Sequence, residues 1–72
     1  MSPEDAITAE LELGQATEQS LADNTGHALA AIRRALAYME KADLVTAHEV
    51  TRRKGGTMTV WRMAPAAYQI TR

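Results

Sequence analysis

The sequence predicts a mainly α chain with a small β-hairpin, an α+β domain of three helices followed by two strands. Three observations predict it. Helix caps and stops divide the first 42 positions into three segments. The longest of these carries apolar residues at spacings of three and four, the period of one helix face. From Leu44 onward β-branched residues take over, and a Gly-Gly pair interrupts them where a hairpin would turn.

Ser2-Pro3-Glu4-Asp5 opens the first helix. Serine serves as N-cap, proline fits the first helical position, and the two acids lie over the positive end of the dipole. Ile7 and Leu11 share a face, and Gly14 is placed to end the segment, so the helix is expected over 3–13. Thr17 can cap a short second helix with Leu21 and Ala22 turned inward. Asp23-Asn24-Thr25-Gly26 has turn composition, with Gly26 or Asn24 able to take a positive φ.

The third helix is expected over 28–42. Leu29, Ile32, Leu36 and Met39 form its buried stripe. At about 100° per residue, His27, Ala30, Ala31, Arg34, Tyr38 and Lys41 fall opposite, with Arg33 and Ala37 on the flank. Strands are expected over Leu44 to Arg52 and Thr57 to Met63, joined at Arg53 to Gly56 and closed by Pro65. Residues 1–65 are read as the domain and 66–72 as a C-terminal tail.

The totals narrow the function classes. Seventy-two residues make one small domain near the size where a single core is marginal. The apolar fraction of 46% overstates that core, because 14 of the residues are alanine. Without cysteine there is no disulfide, thiolate metal site or thiol nucleophile. His27 and His48 have no carboxylate at ligand spacing, so no metal or cofactor is expected. No nucleophile has a nearby base and Gly55-Gly56 precedes no helix, which argues against an enzyme. An acidic start and the lack of a long apolar run point to a soluble cytoplasmic protein with no membrane role.

Net charge is −1, but its distribution is uneven. Residues 1–24 hold six acidic groups and no Lys or Arg; residues 25–72 hold eight Lys/Arg against three acidic groups. A polyanion responds to such a local field more than to net charge. Arg52, Arg53 and Lys54 stand in a row beside the glycines, where mutual repulsion is relieved by a bound anion.

A short helix, a tight polar turn and a longer helix make a helix-turn-helix, and a hairpin directly after it makes a wing. The string GQATEQSLADNTGHALAAIRRALAYMEKADLV, followed by RRKGGTMTVWRMAP, resembles the winged helix-turn-helix domains of bacterial and phage transcriptional regulators. Gly14, Ala16-Thr17, Leu21-Ala22, Thr25-Gly26, the Ile32-Leu36-Met39 stripe, Leu44-Val45 and Trp61-Arg62-Met63 carry the likeness, which covers residues 5 to 65. It implies a third helix in the major groove of double-stranded DNA, a wing on the backbone or minor groove, and a homodimer on a palindromic or repeated site.

On that resemblance Arg34 is the candidate for a bidentate guanine contact or phosphate clamp. Arg33, on the flank, is a candidate phosphate contact. Ala30 and Ala31 would let the helix approach base edges, and Tyr38 and Lys41 extend the same face. Thr17, Gln19 and Ser20 open the second helix as phosphate donors. Thr25 stands at the turn, and His27 is placed as a cap or phosphate donor. Arg52, Arg53 and Lys54 would follow the backbone. Arg34 and the hairpin tip are expected to point the same way. The alternative is a protein partner, docked on the same scaffold as by a phage-encoded inhibitor of a host complex.

Overall fold

The computed structural model describes residues 1–65, so the 66–72 tail lies outside the described residues. The order is α1 (Pro3–Leu11), α2 (Glu18–Thr25), α3 (Leu29–Lys41), β1 (Val45–Thr51) and β2 (Thr57–Met63). The two strands are antiparallel, in register from Val45 opposite Met63 to Thr51 opposite Thr57. This is the α+β, three-helix winged helix-turn-helix architecture expected from the sequence.

The first two helices begin where their cap chemistry allows. The Ser2 hydroxyl accepts from the Asp5 N–H at 3.2 Å, and Pro3 follows at the first helical position. Thr17 Oγ1 accepts from the Ser20 N–H at 3.1 Å. α3 begins without a side-chain cap, behind Ala28, so His27 does not cap it. Its stability comes from the buried stripe of Ile32, Ala35, Leu36 and Met39 instead.

The helix ends differ from the sequence expectation in instructive ways. α1 stops at Leu11 rather than residue 13. Leu13 and Gly14 donate to the carbonyls three residues back, which tightens the chain out of the α pattern. Leu13 then projects 85% exposed, with no core to meet. In the other direction, α2 absorbs Asp23, Asn24 and Thr25, which composition assigns to a turn. The Gln19 amide donates to Asp23 and the Thr25 hydroxyl donates to the Leu21 carbonyl, so these polar side chains bond within the helix. The bend falls at Gly26, whose φ of 77° lies in the left-handed region.

The end of α3 is a Schellman motif. The Asp43 N–H donates to the Glu40 carbonyl and the Leu44 N–H to the Met39 carbonyl at 2.8 Å. That geometry needs a left-handed residue, and Asp43 supplies it at φ 62°. Leu44 is thereby held by the helix cap, and β1 starts one residue later than expected.

One core joins all three helices to the hairpin. Ile7, Leu11, Leu21, Ile32, Leu36, Met39, Val45 and Trp61 pack in a single cluster. Burying each large aliphatic side chain contributes about 1.5–3 kcal/mol. Trp61 is fixed further by a contact the sequence did not reveal. Ala16, between α1 and α2, exchanges two backbone hydrogen bonds with Trp61, at 3.1 and 2.7 Å, forming an isolated antiparallel bridge. The buried Trp61 Nε1 has no acceptor among the described residues.

An L-residue at Asp43 works against its own backbone preference, although aspartate tolerates it better than most. Asp43→Gly is expected to stabilise the fold by about 0.5–1 kcal/mol. In thermal unfolding followed by circular dichroism that is a midpoint several degrees higher, roughly 4–8 °C per kcal/mol for a domain of this size. Asp43→Val should lower it.

Candidate nucleic-acid interface

The hairpin tip is built from its cations. The Gly55 N–H donates to the Arg52 carbonyl at 3.0 Å, closing a turn with Arg53 and Lys54 at its centre. Neither central residue has a positive φ, whereas Gly55 and Gly56 have φ of 96° and 78°. The glycines therefore form the return path, with Gly55 following the turn as a left-handed residue. The sequence reading put the turn at Arg53 to Gly56; the structure has it there, with Arg53 and Lys54 at the centre and the glycines after them. Arg52, Arg53 and Lys54 are all exposed, and none forms an ion pair among the described residues.

Two shallow depressions border the exposed face of α3. The first lies between α2, α3 and the hairpin, and Thr17, Glu18, Gln19, Leu29, Arg33, Arg52, Met58 and Thr59 line it. It brings together Thr17, Gln19, Arg33 and Arg52 of the expected contacts. The second lies between α1 and α3 and holds Pro3, Glu4, Ala31, Arg34, Ala35 and Tyr38. Arg34 thus leans toward the acidic α1, and Arg33 is the arginine of α3 that shares a depression with the hairpin. Arg34 lines the depression on the α1 side, whereas Arg33 lines the one it shares with Arg52 of the hairpin.

The remaining candidates separate in the same way. Ala30, Ala37 and Lys41 are exposed on the ridge between the two depressions. Tyr38 is 63% exposed. His27 and Thr25 line a third depression with Met1, Glu10 and Asn24, on the α1 side of the turn. The Thr25 hydroxyl proton is engaged by Leu21, and its oxygen also accepts from the His27 N–H at 3.3 Å. Ser20 lies near Asn24, whose amide donates to its hydroxyl at 3.4 Å, and Ser20 borders a separate depression with Gln15 and Ala16.

Arg33 is also where the site's one carboxylate enters. Its Nε donates to Glu18 Oε1 at 3.0 Å, the one ion pair among the described residues. The pair is surface-exposed and contributes about 0–1 kcal/mol to stability. Sequence reasoning did not single out Glu18 as a site residue. It also missed Arg62, exposed on β2, whose Nε donates to Gln15 Oε1 at 3.0 Å. A cross-element pair leaves no periodic trace, so neither was visible in the sequence.

Among the described residues no group of three His, Asp or Glu side chains is placed to hold a metal ion. His48 instead bonds Thr46 Oγ1 through Nε2 at 2.8 Å along the same strand. No helix among the described residues is long and apolar enough to cross a membrane.

Comparison with known proteins places the fold. No family model matches the chain, and no curated protein matches it in sequence. Among solved structures, a double mutant of ZitR from Lactococcus lactis superposes with a TM-score of 0.81 over 97% of this chain, at 20% identity. The match spans 47% of the ZitR chain, so this chain corresponds to about half of that protein. At this identity the likeness establishes a shared winged-helix architecture.

The cap at Thr17 positions the rim of the first depression. Thr17→Ala is expected to lower stability by about 1 kcal/mol and Thr17→Ser to retain most of it, measured by urea unfolding.

Proposed function

We propose that this chain is the DNA-binding domain of a transcriptional regulator of bacterial or phage type, acting as a homodimer on a palindromic or repeated site. One observation carries the reading: the exposed ridge of α3 is bordered on its hairpin side by Thr17, Gln19, Arg33 and Arg52, with two further cations, Arg53 and Lys54, just beyond at the tip and in no ion pair among the described residues. A helix about 10–12 Å across fits a major groove about 12 Å wide. With α3 so placed, Ala30 and Ala37 permit close approach to base edges. Arg33 and Arg34 stand on its two sides, and the tip reaches the neighbouring backbone or minor groove.

The charge pattern supports this polarity. Glu4, Asp5, Glu10 and Glu12 all lie on or just after α1, away from the hairpin-side depression. The fold shared with ZitR is compatible with the reading but does not by itself assign it. A protein-docking role draws on a different feature, the exposed Tyr38 ring beside Pro3 and Ala31. Nucleic acid that co-purifies with the protein and is released by salt favours DNA.

Selection from random duplex DNA, with particle mass measured on the same sample, tests the proposal. A discrete motif bound by a dimer is expected. Affinity should fall with salt at a slope of about −0.9 per phosphate neutralised. Arg53→Ala should weaken all duplexes alike, whereas Arg34→Ala should relax sequence preference. Unchanged affinity of an Arg34/Arg52/Arg53 triple-alanine variant for every duplex would refute the proposal.

A further inference from the structure

We infer that Glu18 is a positioning residue that aims Arg33 at a base edge and suppresses its attraction to phosphate, so that it sets sequence discrimination; the inference rests on the DNA-binding reading. Glu18 is the first residue of α2, directly after the Thr17 cap, so its backbone is fixed by the cap's hydrogen bond. Its side chain is 30% exposed and faces Arg33, itself 63% exposed, across the hairpin-side depression.

The atoms involved decide what Arg33 can still do. Glu18 Oε1 takes the Nε hydrogen at 3.0 Å. The terminal Nη1/Nη2 edge makes no hydrogen bond among the described residues and remains available. A guanidinium is rigid and planar, so fixing Nε sets the direction of that edge. The terminal edge is also the one that pairs bidentately with guanine O6 and N7.

Charge then separates the two kinds of DNA contact. Guanine O6 and N7 are uncharged acceptors, so a carboxylate beside Arg33 opposes them little. A phosphate carries a full negative charge and meets Glu18 at close range. Glu18 therefore weakens contacts common to all sequences more than it weakens a base-specific one. Specificity is a difference of affinities, and repulsion against the wrong contact raises it. The acid's other role, favourable placement at a helix N-terminus, is independent of Arg33 and predicts no effect on discrimination.

Glu18→Gln isolates the charge, because the amide oxygen still accepts from Nε. With full-chain protein, affinities are measured for the selected duplex and for a scrambled one, across a salt series. The variant should bind scrambled duplex about 3–10-fold more tightly and the selected duplex with less than about 2-fold change. Its salt slope on scrambled duplex should steepen by about 1, as one more phosphate is engaged. In an Arg33→Ala background, Glu18→Gln should leave the ratio of the two affinities unchanged. Equal fold-changes on both duplexes would overturn the inference and leave the DNA-binding reading intact, as would an unaltered effect without Arg33. Failure of the wild type to bind any duplex would overturn both. Thermal unfolding of each variant, compared with wild type, separates a folding defect from a binding one.

Discussion

Two backbone hydrogen bonds between Ala16 and Trp61 tie the hairpin to the residue that precedes the α2 cap. A two-stranded hairpin alone is marginal in water. Here the bridge adds a third segment at its edge, and Trp61 anchors β2 in the core shared by the three helices. The tie also sets geometry. Thr17, one residue on, caps α2, so the start of α2 and the base of the hairpin are held in fixed relation. The depression containing Thr17, Arg33 and Arg52 is a consequence of that relation.

The cations divide into two kinds on this frame. Arg52, Arg53 and Lys54 are exposed and unpaired among the described residues, held apart only by the turn. Their field is long in range and indifferent to sequence, the property of a docking element. Arg33 is oriented by Glu18, and the direction of its donors is set before any ligand arrives. Pre-orientation reduces the entropy lost on binding and favours recognition of planar acceptors. Under the proposed DNA-binding role, general attraction and directional reading would fall to different residues on adjoining elements.

Local chemistry was legible in the sequence, and long-range neighbours were not. The Ser2 and Thr17 caps and the Ile32–Leu36–Met39 stripe each act within a few residues and were read correctly, and of the two residues offered for the positive φ, Gly26 and Asn24, it is Gly26 that takes it. Strand β2 was read to the residue because its β-branched and alternating Thr57–Val60 run is bounded by the glycines before it and Pro65 after it, although Val60 and Trp61 are both buried and break the alternation. Asp43 was missed as a left-handed cap because glycine is the usual signal there. Ala16 was missed as a strand because a single bridging residue has no period. The helical wheel gave the angle of Arg33 and Arg34 from the core but could not tell which neighbour stood on which side. Ala35 added to this, being buried at 4% exposure yet too small to mark the core face by hydropathy.

The central claim is that the α3 ridge, the start of α2 and the hairpin tip form one DNA-facing surface. Titration of isotope-labelled protein with duplex DNA, followed by amide chemical shifts in NMR spectra, tests it most directly. The account predicts the largest changes at Thr17, Gln19, Ala30, Arg33, Arg34 and Arg52 to Lys54, with little change at Asp5, Ala9 and Glu12. Changes confined to α1, or none at duplex concentrations that saturate specific binding, would contradict it.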